Sequence, residues 1–312
     1  MSLVTDDRSV RSLLKLGIEQ LRAAKTPSYT LAAELLLLHV SGRDRTWLYS
    51  HADEVLPPGT CEEYGELLRR RASGEPTQYL TGKQEFWGHE FEVTPGVLIP
   101  RPETEHLIEV ALDRLAVREI RAGRPSRLNG ENVTLVDIGT GSGCIAISLA
   151  KELPGAMVHA TDISKTALEV ARRNASRLGV SGGIQFVESN LLQAFHESKV
   201  TNHDSHLFDL IISNPPYVSL RDAESLPVEV REHEPHIALF GGDEGYELYS
   251  ALISQAAQHL KPGGLLVLEL GYSSLAAVQP LLDTKEWVNV GVARDLAGIP
   301  RVISAERLSP SR

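Results

Sequence analysis

Asn214-Pro215-Pro216-Tyr217 follows directly on the apolar run Phe208-Asp209-Leu210-Ile211-Ile212-Ser213. Two successive prolines remove two backbone donors and impose extended geometry, so the segment presents carbonyl acceptors that no strand ladder consumes. The Asn214 side-chain oxygen and the Pro215 carbonyl could each accept one N–H of a planar –NH2 group, with Tyr217 stacking on its plane. Such a clamp suits an amino group attached to a carbonyl or an aromatic ring, whose delocalised lone pair needs help to become nucleophilic. Two accepted hydrogen bonds localise that lone pair, and in-line positioning then does much of what a strong base would do. A plain strand-end turn is the competing reading, because Asn-Pro is common in turns. A second motif upstream weighs against it.

That motif is Leu135-Val136-Asp137-Ile138-Gly139-Thr140-Gly141-Ser142-Gly143-Cys144, a strand pattern, a glycine-rich turn and then an apolar helix pattern. Glycines at the carboxyl end of a strand in an open α/β sheet let backbone N–H groups approach a ligand closely. The dinucleotide fingerprint requires G-x-G-x-x-G, whereas here the glycines are spaced by two and the last position of that pattern is Cys144. NAD is therefore disfavoured. An aspartate two residues before the first glycine is better matched to a cationic ligand, and S-adenosylmethionine carries a sulfonium and an ammonium where a dinucleotide carries pyrophosphate. The cofactor-binding set expected on this reading is Asp137, Gly139, Thr140, Gly141, Ser142 and Gly143. Asp162, after the apolar run 157–161, is placed to accept both ribose hydroxyls; its bland alternative is a helix N-cap. At the next strand end Asn190 could bond the exocyclic amine of adenine and Leu191 pack on its face. Asn214 completes the set from the clamp.

These positions require a scaffold of alternating strands and helices. Apolar runs at 134–138, 157–161, 184–187, 207–213 and 265–270 alternate with helical segments, the mark of a doubly wound parallel sheet. Upstream, Val10, Leu13, Leu14, Leu16, Ile18 and Leu21 recur at helical spacing, 31–40 reads the same way, and 61–72 is a third helix ending in Arg69-Arg70-Arg71 before Gly74 and Pro76. Between 78 and 100 the composition turns aromatic and β-branched, and breaks at Gly88 and Pro95-Gly96 suggest a hairpin. A helix is expected over 103–120. The fold class is thus α/β, a Rossmann-like sheet with a small all-helical N-terminal domain and a β-hairpin linker.

Composition narrows the function further. The 312-residue chain is 42% hydrophobic, enough for a full α/β core and a second domain. Of its formal net charge of -10, about -9 falls after residue 85, where 20 Lys and Arg face 29 Asp and Glu. That speaks against broad nucleic-acid binding, which depends on phosphate neutralisation. Cys61 and Cys144 are the two cysteines, too few for a disulfide framework or a cysteine zinc site and in keeping with a reducing cytoplasm. The N-terminus lacks the pattern of a secretory or transit peptide, and the apolar run 31–40 is about half of what a membrane span needs. His196, His203 and His206, and likewise His233 and His236, read as solvated residues rather than metal ligands. Cys144 reads as a small packing residue, and the Arg69–71 triplet as a solvated helix end or a partner contact. Arg101 and Glu103 either close a loop over the cofactor or form a structural ion pair.

Taken together, the motifs resemble the PrmC/HemK family of release-factor glutamine methyltransferases. The resemblance rests on Gln78-Tyr79-Leu80 with Gly82, Phe86-Trp87-Gly88, Ile99-Pro100-Arg101-Pro102-Glu103-Thr104-Glu105, the glycine turn, Asn214 to Tyr217, Ala238-Leu239-Phe240-Gly241-Gly242-Asp243-Glu244-Gly245 and Asp295-Leu296-Ala297-Gly298-Ile299-Pro300-Arg301. The Pro-Arg-Pro-Glu-Thr-Glu segment is its specific part, since Asn-Pro-Pro-Tyr is shared with adenine and guanine methyltransferases. The resemblance implies a seven-stranded sheet whose last strands run antiparallel. It also implies catalysis by Asn214, Pro215, Pro216 and Tyr217, and methyl transfer from S-adenosylmethionine to the glutamine side chain of the Gly-Gly-Gln loop of peptide chain release factors. The expected organisation is residues 1–85 as a helical substrate-docking domain, 86–100 as the hairpin linker and 101–312 as the methyltransferase domain. The expected protein is a cytoplasmic monomer with release factors as partners and neither membrane nor direct nucleic-acid contact. A methyltransferase for exocyclic amino groups of nucleic acids is the alternative.

Overall fold

A computed structural model describes residues 7–121, 130–196, 207–282 and 285–308. The chain divides into two compact units, Met1–Lys83 with Leu226–His233, and Gln84–Ser225 with Glu234–Arg312.

The first unit is helical: Val10–Ala23, Tyr29–Ser41, Arg45–Ser50, Pro58–Ala72 and Thr77–Thr81. Leu21, Leu36, Leu37, Tyr64 and Leu68 form its core. Gly17 sits in a helix interior because a Cβ there would fall 2.1 Å from the Tyr64 hydroxyl, which donates to the Ala33 carbonyl at 3.1 Å. The Arg69–71 triplet is internally paired, Arg69 with Glu66, Arg70 with Glu75, and the buried Arg71 with Glu229 at 2.5 Å. The basic character that this helix end shows in sequence is thus neutralised locally. Gln78 and Tyr79 belong to a short helix rather than to extended chain. Pro76 opens that helix and Gly82, in the left-handed region, closes it.

The second unit begins at Gln84, within a hairpin of β1 (Lys83–Phe86) and β2 (His89–Glu92). Trp87 and Gly88 have φ of 52° and 69°, positive at both central positions as a type I′ turn requires. The paired strands therefore lie earlier than the expected 86–100, and 93–100 follows as turn and irregular chain rather than strand. Among the described residues nine more strands follow: β3 (Thr134–Ile138), β4 (Met157–Asp162), β5 (Ile184–Glu188), β6 (Phe208–Ser213), β7 (Val218–Ser219), β8 (Phe240–Gly242), β9 (Leu260–Glu269), β10 (Trp287–Arg294) and β11 (Pro300–Arg307). Seven of them form one sheet in the order β10-β11-β9-β6-β3-β4-β5. From β5 to β9 the neighbours are parallel, and β11 is antiparallel to both β9 and β10.

Alternate side chains of β3 feed two cores. Leu135 packs with Leu107, Ile108 and Ile147 from the helices Glu105–Arg121 and Cys144–Glu152, whereas Val136 packs with Tyr249, Leu252 and Ala256 of Glu247–His259. A buried carboxylate, Asp209, anchors the first face by accepting from Arg118, Lys261 and the Thr134 N–H. The strand order reverses between β3 and β6, so the loops leaving these two strands part and open a crevice at the carboxyl end of the sheet. Those loops carry the glycine turn and Asn214. Among the described residues no helix is long and apolar enough to cross a membrane.

Candidate functional site

The crevice is a cavity of about 280 Å³ whose wall includes Gly139, Gly141, Asp162, Asn190, Leu191, Asn214, Pro215 and Pro216. Residues separated by more than seventy positions in sequence meet here because Ile138 of β3 pairs with Ser213 of β6, and the Ser213 hydroxyl donates to the Ile138 carbonyl at 2.7 Å.

The three glycines of the turn have φ of 71°, 56° and 84° at Gly139, Gly141 and Gly143, a region closed to most residues with a Cβ. They differ in what surrounds them. A Cβ at Gly139 or Gly141 would meet nothing within 4 Å, while one at Gly143 would lie 2.9 Å from Ile147. The first two leave open space for a ligand and the third serves helix packing. Asp137 lies under the turn rather than in the cavity wall: Oδ2 accepts from the Thr140 hydroxyl at 2.6 Å and from the Ala146 N–H at 3.2 Å. Burial pushes its carboxyl up to about 7. Thr140, Ser142 and Gly143 likewise shape the turn from behind. Asn174, fully buried, completes the support by donating Nδ2 to the carbonyls of Ser142 and Glu92 and accepting from the Glu92 N–H. An asparagine on the apolar face of the helix Lys165–Arg177 is the sequence signal that could have revealed this role.

Asp162 ends β4 and faces the cavity. Its Oδ2 accepts from the Gly141 N–H and its Oδ1 from the Ser164 N–H, both at 2.9 Å. The helix that follows is capped by Ser164, whose Oγ accepts from Ala167, so Asp162 is not the N-cap. Each carboxylate oxygen retains an acceptor site for a pair of hydroxyls. Burial raises its pKa. Leu191, at a φ of 53°, and Asn190 close the far side of the cavity, where Gln193 donates its N–H to the Asn190 carbonyl at 3.2 Å.

In the Asn-Pro-Pro-Tyr loop, Asn214, Pro215 and Pro216 reach the cavity wall and Tyr217 does not. The Tyr217 ring packs on the second core and its hydroxyl donates to Oε1 of the buried Glu269 at 3.3 Å. Asn214 donates Nδ2 to the Thr104 hydroxyl at 3.2 Å, which turns its Oδ1 away from Thr104. The segment Phe240 to Gly245 backs the loop through the parallel pairing of β7 with β8. Gly241 and Gly245 are glycines for a steric reason, because a Cβ would fall 2.4 Å from the Pro216 carbonyl in one case and 2.5 Å from the Tyr217 carbonyl in the other. Arg101 forms an ion pair with Glu234 at 2.5 Å, and Glu234 also accepts from the Ile99 N–H. Cys144 is buried, with its thiol pushed up to about 12 by burial, and is therefore a packing residue. His203 and His206 lie outside the described residues. Among the described residues no cluster of three His, Cys, Asp or Glu side chains could hold a metal ion.

Two family models match the chain, the PrmC N-terminal domain over residues 12–82 and the methyltransferase small domain over residues 126–229. A release factor glutamine methyltransferase of Koribacter versatilis is 44% identical over 92% of this chain and 94% of its own length. One from Bradyrhizobium diazoefficiens is 38% identical over 97% and 96%. Among solved structures, the catalytic domain of hMettl16 in complex with an RNA hairpin covers 79% of this chain and 84% of its own with a TM-score of 0.53 at 17% identity, a likeness of fold alone. With identities of this size over nearly the whole length, the chain belongs to the release factor glutamine methyltransferase family.

Proposed function

We propose that this protein transfers a methyl group from S-adenosylmethionine to the side-chain amide nitrogen of the glutamine in the Gly-Gly-Gln loop of peptide chain release factors. The observation that carries this reading is the meeting of the glycine turn and Asn214 at one cavity, at the reversal point of the sheet. The residues present fit the cofactor: Gly139 and Gly141 leave room where a side chain would intrude, and Asp162 offers two acceptors at the cavity wall. Asn190 and Leu191 provide a polar and an apolar contact for adenine. When bound, S-adenosylmethionine supplies an electrophilic methyl group on a sulfonium. The chain's own contribution is positional. Asn214 Oδ1 and the Pro215 carbonyl accept the two amide protons of the glutamine, hold its nitrogen in one orientation and draw its lone pair out of conjugation.

The helical unit, residues 1–85 in the sequence division, is assigned to docking of the protein substrate. One planar amide offers too little area to select a single glutamine, and a protein interface of standard size supplies the missing discrimination. Tyr49 and Val55 of that unit are exposed by about three fifths and are better candidates for contact than the paired Arg69–71 triplet. The net charge of -10 favours a protein substrate over a nucleic acid. Incubation with labelled S-adenosylmethionine and either a release factor or adenine- and guanine-containing oligonucleotides tests the reading. Label in the factor alone is the expected result; label in the oligonucleotide alone would replace it with the nucleic-acid reading.

A further inference from the structure

The Pro-Arg-Pro-Glu-Thr-Glu segment contains a buried hydroxyl that the clamp uses. Thr104, 2% exposed, accepts from Asn214 Nδ2 at 3.2 Å. A hydroxyl that accepts still has one proton to place, and in a dry site that proton needs an acceptor. The neighbouring carboxylate is Glu269, at the end of β9 and 3% exposed, whose pKa the Thr104 hydroxyl holds down against the rise that burial imposes. Its Oε1 takes the Tyr217 hydroxyl, while Oε2 is buried with no hydrogen-bond partner among the described residues, an acceptor left open for that proton.

We propose that Thr104 and Glu269 are positioning residues of the methyl acceptor clamp: Glu269 takes the Thr104 hydroxyl proton, Thr104 takes Asn214 Nδ2, and the Asn214 amide is thereby held with Oδ1 turned to the acceptor nitrogen. An asparagine amide is nearly symmetric in shape, so packing alone cannot decide which end faces the substrate. Turned over, it would present two donors to a glutamine –NH2 group that is itself a donor, and the clamp would repel what it must hold. A hydroxyl committed as donor to a carboxylate accepts from Asn214 and cannot donate to it. The carboxylate therefore fixes the sense of the whole chain. Glu269 also receives Tyr217, so one buried group orders both ends of Asn214 to Tyr217. Burial pushes the Glu269 carboxyl up to about 7, with the Thr104 and Tyr217 hydroxyls opposing the rise. Those two hydroxyls are what favour the ionised, accepting form.

This inference rests on the assignment of Asn214 to the acceptor clamp, and the experiment separates the two. Thr104→Val keeps the volume and removes the relay, whereas Thr104→Ser keeps the hydroxyl. With a release factor as substrate, Thr104→Val is expected to lower kcat by about tenfold or more while the KM for the factor and the affinity for S-adenosylmethionine stay within about twofold. Thr104→Ser should recover most of the loss. In an Asn214→Ala background, Thr104→Val should cost nothing further, since its effect passes through Asn214. Unchanged kcat in Thr104→Val, or an equal loss with and without Asn214, overturns the proposal. A measurement that needs no substrate runs beside these: hydrogen exchange of the Asn214 side-chain –NH2 protons by NMR should be at least about tenfold faster in Thr104→Val. Equal exchange in the two proteins overturns the positioning role even if the substrate assignment itself fails.

Discussion

The Gly141 N–H donates to Oδ2 of Asp162 across 2.9 Å, so the glycine turn after β3 is tied to the end of β4 by the same carboxylate that faces the cavity. Asp162→Ala is therefore expected to weaken S-adenosylmethionine binding by about 1.5–3 kcal/mol, the range for a lost hydrogen-bond partner of a charged group. Asp162→Asn, which keeps one oxygen acceptor, should lose less. Titration calorimetry on the folded variants measures both, and unchanged affinity in Asp162→Ala would remove that residue from the cofactor site.

Asn214→Ala should separate binding from chemistry. The cavity wall loses one side chain and the glycine turn is untouched, so cofactor affinity stays within several-fold. Turnover on a release factor should fall by at least about 100-fold, comparable to the loss of one positioned transition-state group. Near-normal turnover would sink the clamp mechanism.

Gly245 backs the Asn214–Tyr217 loop from outside the cavity wall. Its φ is 88°, and a Cβ would fall 2.5 Å from the Tyr217 carbonyl. Gly245→Ala must displace the loop, and a displacement of about 1 Å can cost on the order of 100-fold in rate. Single-turnover kinetics should show a loss of tenfold or more with little change in cofactor affinity. A variant that keeps the parent rate would show that β7 and β8 do not hold the clamp.

The buried Glu269 carries a pH signature. Desolvation lifts its carboxyl from 4.5 to about 7, Thr104, Tyr217 and Arg301 oppose the shift and Glu103 adds to it. Because the folded state binds the proton more tightly than the unfolded chain, this group costs stability as pH rises from about 4.5 and costs most above about 7. Glu269→Gln should therefore gain stability relative to the parent at pH 8, by about 3 kcal/mol at most, with the gain fading at about pH 4.5. Urea unfolding at several pH values measures the difference; a gain that does not depend on pH would contradict the shifted titration.

Much of this was legible in sequence because it is local. The strand and helix of the glycine turn follow from periodicity and from Gly139, Gly141 and Gly143, and the extended clamp follows from Pro215 and Pro216. Asp162 could be read as ligand or cap, and only the hydroxyl of Ser164 on the Ala167 N–H settled which residue caps the helix. What periodicity could not reveal are relationships across long separations. Arg101 with Glu234, Thr104 with Asn214 and Asn174 with Ser142 each join segments more than thirty residues apart. The short helix Thr77–Thr81 was hidden because Tyr79 and its neighbours favour strands by type, and Pro76 and Gly82 overrode that preference. Tyr217 is expected from sequence to stack on the plane of the acceptor amino group, yet its hydroxyl finds Glu269 and its ring a core.

The Asn214 clamp is proposed to serve a glutamine amide in a release factor. The most direct test is mass spectrometry of an intact release factor after incubation with this protein and S-adenosylmethionine, followed by fragmentation of the peptide that carries the Gly-Gly-Gln sequence. The expected result is the mass of one added methyl group on the side chain of that glutamine, absent when Asn214→Ala replaces the parent. A factor that remains unmodified at this glutamine, or that is methylated equally by the Asn214→Ala variant, would contradict it.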